Sequence, residues 1–332
     1  MGAVLAVAGL VVTTLASMLQ AERTVVTWAA AAWFLLLFPL SGGLLAALAG
    51  LMKSRWIQVR HPGVVDLIRV WPRPVAFFAV ATLLLVTAGQ ETGGGTEKAL
   101  ELWLCSAVLA VLVVLWLRLA TQLPGSVTSP APVPWKAVGY LLLFLPTFWL
   151  VTDEWFAWFS PGCRNSLGGF YHWAGLLLLG TALLAWRETA VPRGGAPGQH
   201  FRDLSRFLLF ASCFWLYAWF CRYLPVWYTG LPGESSCLAL RAAGSWAAIH
   251  WAVPVTGWLI PCALLLPGRA KSDPEVVRLA AGLILVGRWL DVYGSMVPAQ
   301  GPLDLRNLLI DQGPLAVLAG FWWTGIPGIQ KR

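Results

Sequence analysis

The stretch VTWAAAAWFLLLFPLSGGLLAALAGL, residues 26–51, decides the fold class. It contains no charged side chain and exceeds the roughly 20 apolar residues that a helix needs to cross about 30 Å of bilayer hydrocarbon. Because lipid offers the backbone no hydrogen-bond partner, a stretch of this kind crosses a membrane as a helix. The stretch therefore predicts a transmembrane helix.

Similar apolar runs recur along the chain, separated by short polar or Pro/Gly-rich breaks. Of the 332 residues, 58% are hydrophobic and only 11% are charged, whereas soluble domains carry about 25% charged residues. We therefore predict an all-α integral membrane protein with about ten transmembrane helices in a single polytopic domain, residues 1–332. The predicted spans are 3–19, 26–51, 72–89, 102–121, 136–152, 168–186, 204–224, 242–265, 276–295 and 311–326.

The predicted domain divides into N-terminal helices, residues 1–190, and C-terminal helices, residues 191–332. In the first part, the segment RWIQVRHPGVVDLIRVWPR, residues 55–73, is too charged to span a bilayer. Its aromatic and aliphatic residues, including Val64 and Ile68, favour the lipid interface. The segment is therefore predicted to be an amphipathic connector.

Basic residues are unevenly distributed between the predicted loops. Sixteen of the 23 Lys and Arg residues fall on one side of the ten predicted spans. The positive-inside rule makes that side cytoplasmic and places both termini there. Topology thus accounts for the net charge of +8, and we expect no nucleic-acid partner.

Six cysteines occur without a CxxC or CxxCH motif, so the sequence predicts no iron-sulfur, zinc or c-type haem site in this chain. Cys163 and Cys237 fall in loops on the predicted outer side, where a disulfide could join them. Their separation cannot be read from the sequence, so free thiols are the alternative.

Ionisable and hydroxyl groups within or beside the spans are candidates for a proton path or a quinone contact, because such groups are costly in lipid. The candidates are His172, Asp203, Tyr228, His250, Arg288, Asp291 and Tyr293. Arg288 and Asp291 are neighbours on one helical face and could form a structural ion pair. Alternatively, Asp291, Tyr293 and His250 form a proton-conducting polar file. Each His could also be a neutral imidazole bonded to a neighbouring helix.

Motifs of self-contained catalysis are missing from the sequence, including a nucleotide loop, HExxH and a recognisable Ser/His/Asp set. The 21 Trp residues include many near predicted helix ends, such as Trp135, Trp155 and Trp227. Interfacial belts explain such positions, although a quinone ring could also stack on them.

Four stretches carry a more specific pattern: DEWFAWFSPGCRNSLGGFYHWAG (153–175), FRDLSRFLLFASCFWLYAWFCRYLPVWYTGLPGE (201–234), IHWAVP (249–254) and RWLDVYGSMVP (288–298). They resemble the NrfD-like, or polysulfide-reductase-like, membrane subunits. The pattern is most similar to the smaller NrfD-like subunit of alternative complex III, a quinol:cytochrome c oxidoreductase. Arg222 stands where that family usually has Gln, and Cys221 where it has Ser.

The resemblance implies two four-helix bundles plus flanking helices in a bacterial inner membrane. It implies a subunit of a respiratory or photosynthetic quinol-oxidising complex, structural and proton-conducting or quinone-contacting, with menaquinone or another quinone as the substrate. The implied partners are a sister NrfD-like subunit, a peripheral iron-sulfur/molybdopterin-like subunit and c-type cytochrome subunits. Those partners would carry the iron-sulfur clusters and haem c, whereas this chain would bind no redox metal.

A secondary transporter is the main alternative, since many have a comparable number of spans. Transporters commonly show repeated halves and broken helices, but this sequence has Pro254, Pro261 and Pro298 without a repeat. An enzyme acting on lipid would need an acidic or His-rich cluster at one leaflet, and the sequence shows none.

Overall fold

The computed structural model describes residues 2–52, 63–69, 72, 74–79, 96–123, 134–159, 167–190, 199–230 and 239–324. Almost all of these residues are helical, and none of them forms a strand. The prediction of an all-α protein is therefore confirmed for the described part of the chain.

The helices are α1 (Gly2–Leu19), α2 (Ala21–Met52), α3 (Thr96–Ala120), α4 (Trp135–Phe159), α5 (Gly168–Ala190), α6 (Gln199–Thr229), α7 (247–265), α8 (Pro274–Met296), α9 (Leu305–Ile310) and α10 (Gly313–Thr324). Within α7, a π-helical turn at Val255–Leu259 separates Ala247–Pro254 from Ile260–Leu265. Short helical stretches at 63–69 and 74–79 lie between α2 and α3.

Five helical segments among the described residues are long and apolar enough to cross a membrane. They are Ala21–Met52, Trp135–Phe159, Gly168–Thr189, Phe201–Tyr228 and Gly244–Leu265. These segments support a multi-pass membrane protein. A helix lies in nine of the predicted spans, and in 72–89 the described residues, 72 and 74–79, are helical too. The total of about ten spans and the two-bundle arrangement stay predictions.

α2 is the central helix, and most of its side chains are buried. It contacts α1, α3, α4, α5, α8 and α10. A helix that is apolar on every face is stable when other helices surround it, and small residues let those helices approach. At Gly43, for example, an added Cβ would lie 3.0 Å from the Cβ of Ala120.

Aromatic rings fill the space between α2 and α4. Trp33 stacks on Trp155 with a centroid distance of 5.4 Å and lies 5.8 Å from Phe78. Trp155 is only 1% exposed, so the prediction of an interfacial position is wrong for this residue. Trp135 and Trp227, which are 74% and 75% exposed, are placed as an interfacial belt requires.

The short helical stretch at 63–69 belongs to the core. Val64 and Ile68 are buried there, so the structure does not place these two residues at an exposed lipid interface. Arg187 of α5 fixes the stretch by donating to the Gly63 carbonyl at 3.1 Å and pairing with Asp66. Residues 53–62, 70–71 and 73 of the predicted connector lie outside the described residues.

The first and last helices pack closely against each other, because α1 and α10 meet at glycines. A Cβ at Gly9 would lie 2.6 Å from the Val317 nitrogen and 2.8 Å from the Gly313 oxygen. Beside this contact, Arg23 and Asp311 form a buried ion pair at 2.8 Å. The glycine contact and the ion pair therefore both hold the N-terminal and C-terminal parts of the described chain together.

Substitution Gly9→Ala is expected to destabilise the protein by about 1–3 kcal/mol, because the new methyl group meets backbone atoms that cannot move independently. Gly139 in α4 is the matched control, since nothing lies within 4 Å of a Cβ there. Gly139→Ala should stabilise by up to about 1 kcal/mol through helix propensity. Unfolding of the purified protein in detergent measures both effects, and equal stability of the two variants would contradict the close contact.

Candidate functional site

Seven polar residues, which we call the polar cluster, lie close together. They come from the beginning of α5, from the last turns of α6 and α8, from α7 and from the segment just before α7. They are Tyr171, His172, Arg222, Arg241, His250, Arg288 and Asp291. In the predicted topology this is the outer side of the membrane. Four of the seven were candidates from the sequence.

Asp291 is the acceptor at the centre of the polar cluster. The Tyr171 hydroxyl donates to its Oδ1 at 2.5 Å, and the Arg288 guanidinium pairs with its Oδ2. The ion pair expected from the three-residue spacing is thus present, with side-chain exposures of 1% for Arg288 and 6% for Asp291. Because a buried charge without a partner is strongly destabilising, each member of this pair depends on the other.

The surroundings of Arg288 are shaped to hold a guanidinium. Gly175 on α5 leaves the space that it occupies, since a Cβ at that position would collide with the guanidinium. The guanidinium carbon also lies 5.8 Å from the Trp215 ring centroid and 5.9 Å from that of Tyr171. Contacts of this kind stabilise a cation that has lost water.

Two further arginines adjoin the pair. Arg222 lies over the Tyr171 ring, 4.1 Å from its centroid. Arg241, which precedes the span beginning at Gly244, donates to the Ser295 carbonyl at 3.0 Å. Burial, with added repulsion from Arg222, lowers the pKa of Arg241 to about 10. Arg241 therefore remains a cation at neutral pH.

A small cavity of about 20 Å³ opens among Arg222, Arg241, His250 and Asp291. This volume holds about one water molecule. The Nε2 atom of His250, which lines the cavity, is buried without a hydrogen-bond partner among the described residues. Because such an atom is costly unless satisfied, a water molecule in the cavity is its natural partner.

Ring packing holds both histidines of the cluster. His172 stacks on Phe156 with a centroid distance of 4.3 Å and an interplanar angle of 11°. His250 lies 5.9 Å from the Trp219 ring and 5.3 Å from that of Trp251. The imidazole planes are therefore fixed by aromatic neighbours.

Tyr293 belongs to a second buried group. Its hydroxyl donates to Asp311 Oδ2 at 2.6 Å, and the same carboxylate pairs with Arg23. The structure thus brings Asp291 and His250 to one cavity but places the Tyr293 hydroxyl with Asp311. The polar file expected from the sequence is divided between two groups.

The remaining sequence candidates lie elsewhere. Asp203 pairs with Arg206 at 2.9 Å near the other end of α6, and Tyr228 is 83% exposed. Cys163 and Cys237 lie outside the described residues, so their predicted pairing stays a prediction. Within the described residues, no group of three or more His, Cys, Asp or Glu residues is placed to hold a metal ion.

Several members of these two groups were not candidates from the sequence. They are Arg23, Tyr171, Arg222, Arg241 and Asp311. The three arginines are adjacent to span ends, where loop charge is the ordinary interpretation. Only the packing of the helices shows that these three arginine side chains contact other buried groups of the protein.

Comparison of the chain with models of known protein families gives no match, and comparison with curated proteins gives none either.

Substitution Asp291→Ala is expected to destabilise the protein by about 3–5 kcal/mol, because Arg288 would remain buried without a counter-ion. Asp203→Ala is the matched control, since Asp203 and Arg206 have the same three-residue spacing with the arginine 62% exposed. Loss of that surface pair should cost less than about 0.5 kcal/mol. Unfolding in detergent measures both variants, and a small loss for Asp291→Ala would show that Arg288 finds another partner.

Proposed function

We propose that this chain is an integral membrane subunit of a respiratory or photosynthetic quinol:cytochrome c oxidoreductase, with a structural and proton-conducting role. One observation carries the proposal. Each of the four stretches that resemble the NrfD-like subunits contributes to the polar cluster. Stretch 153–175 supplies Tyr171 and His172, 249–254 supplies His250, and 288–298 supplies Arg288 and Asp291, whereas 201–234 supplies Arg222, a position at which this chain departs from the family.

The positions of these residues in the fold support the resemblance in a way that the sequence alone does not. The Tyr171 hydroxyl and the Asp291 carboxylate are 120 residues apart in the chain and bonded at 2.5 Å in the fold. Residues from separate stretches of the resemblance are therefore neighbours in the fold, as residues that act together would be.

The geometry favours proton transfer as the task of the cluster. Asp291, Tyr171 and His250 are groups that accept or donate protons, and the cavity beside them has room for a connecting water molecule. The cavity of about 20 Å³ among the described residues is small for a quinone ring. We therefore assign quinol oxidation to another part of the complex and proton movement to this cluster.

Electron transfer falls to the partners in this proposal. The partners are a sister NrfD-like subunit, a peripheral iron-sulfur/molybdopterin-like subunit and c-type cytochrome subunits carrying haem c. Menaquinone or another quinone is the reductant, and the assembly lies in a bacterial inner membrane with both termini of this chain in the cytoplasm.

Gentle purification through a tag on this chain tests membership of such a complex. We expect c-type haem in a difference spectrum, and an iron-sulfur protein and a second NrfD-like chain by mass spectrometry. A colourless protein without partners would contradict the proposal and favour the secondary transporter.

Substitution Tyr171→Phe tests the proton-conducting role, because it removes the hydroxyl that donates to Asp291 while nearly preserving volume. Quinol:cytochrome c turnover of the assembled complex should fall by about tenfold if proton transfer limits it. Tyr228→Phe is the control, since that side chain is 83% exposed and outside the cluster.

Substitution Asp291→Asn provides the second readout of this role. The amide keeps a hydrogen-bond acceptor but not the charge that neutralises Arg288, so less complex should assemble, and turnover per haem of the complex that does assemble should fall. Full turnover in a completely assembled Asp291→Asn complex would eliminate the proton-conducting role and leave only a structural one.

A further inference from the structure

At the end of α6 opposite the polar cluster, an open pocket of about 780 Å³ lies between the first turns of α6 and the loop that joins α7 to α8. Its lining residues are Arg202, Arg206, Gly268, Arg269, Lys271 and Ser272. The turn Ala270–Ser272 packs directly against α6, so the two walls of the pocket are held in contact. This is the predicted cytoplasmic side.

The pocket concentrates positive charge. Four of its six lining residues are cations, and none of the six is acidic. A neighbouring carboxylate, Asp203, pairs with Arg206 at 2.9 Å, and the Lys271 ammonium donates to the Leu266 carbonyl at 2.8 Å. Like charges this close repel one another, so an anion that binds them all would be held strongly.

An apolar strip adjoins the cationic residues. Arg202, Arg206 and Phe210 follow at four-residue intervals and therefore share one face of α6. Phe210 is 56% exposed, and Leu266, two residues before the lining residue Gly268, is 68% exposed. A soluble anion would use only the cations, whereas a phospholipid presents a phosphate and acyl chains together.

We propose that this pocket binds the phosphate-bearing headgroup of an anionic phospholipid, with the acyl chains lying along Phe210 and Leu266. Arginine suits this ligand because its planar guanidinium donates two parallel hydrogen bonds to phosphate oxygens. Basic pockets between helices on the cytoplasmic side are the usual sites of such headgroups. The Ser272 hydroxyl adds an uncharged donor at the same pocket.

The test titrates the purified full chain, in a zwitterionic detergent, with phosphatidylglycerol and measures the melting temperature. We expect the lipid to raise the melting temperature by mass action. Phosphatidylcholine, which carries a phosphate but no net charge, should have a smaller effect. Inorganic phosphate at the same concentration should have almost none, because it lacks the acyl chains.

The double variant Arg202→Gln/Arg269→Gln removes two exposed cations of the pocket. It should weaken phosphatidylglycerol binding roughly 30-fold, as expected for two charges near a headgroup. The matched control is Arg118→Gln/Lys136→Gln, which removes two exposed cations from the same predicted side but outside the pocket. This control should bind the lipid as the unmodified protein does.

Two outcomes would overturn the proposal. An equal loss of binding in the control would mean that diffuse charge attracts the lipid. An equal rise in melting temperature with inorganic phosphate would mean that the pocket takes a soluble anion. The variant Arg202→Lys/Arg269→Lys keeps both charges but loses the paired guanidinium donors, so its affinity should lie between those of the unmodified protein and the Gln variant. The melting temperature of each variant without lipid separates lost binding from lost folding.

Discussion

The absence of water from the bilayer interior is the constraint on which this structure depends. Every charged group that a helix carries into the protein must find its partner inside the protein. Two buried ion pairs meet that requirement. Arg23 and Asp311, 288 residues apart, join α2 to the segment before α10. Arg288 and Asp291 lie on one helix, but the hydroxyl of Tyr171 ties them to α5. Satisfying each charge therefore also fixes which helices are neighbours.

α8 connects these two groups, and Trp246 lies between them. The Arg288 and Asp291 side chains face α5, whereas Tyr293, two residues after Asp291 and therefore on another face of α8, bonds to Asp311. The Trp246 ring lies 5.4 Å from that of Tyr293 and also lines the cavity beside Asp291. Trp246 thus adjoins both groups, and each group has its own arginine and carboxylate. The arrangement keeps the charges distinct while packing them against one helix.

Much of the fold could be predicted from the sequence, because a long apolar run by itself indicates a helix that is buried in lipid or in protein. The helix of residues 26–51 and the Arg288–Asp291 pair are examples, since each depends on local spacing alone. Arg222 and Arg241 could not be predicted as members of the cluster, because charge beside a span end is equally compatible with a solvated loop.

The inward positions of Trp155, Val64 and Ile68 were missed for a related reason. Amphipathic residues favour an interface unless neighbouring helices bury them, and only long-range packing shows which occurs.

The size of the cavity limits what the polar cluster can do. A quinone ring requires an apolar slot with a few polar groups at its ends, but Arg222, Arg241, Asp291 and His250 crowd a space for about one water molecule. The proposed proton transfer needs only groups that exchange a proton and a connecting water molecule. The central ion pair is nevertheless buried, with Arg288 1% and Asp291 6% exposed. In contact with bulk water, the Arg288–Asp291 attraction would be weakened by solvent screening, and Tyr171 would lose the fixed acceptor that orients its hydroxyl. Burial of the pair, which makes each charge necessary to the other, therefore also keeps the Tyr171 hydroxyl on a single acceptor.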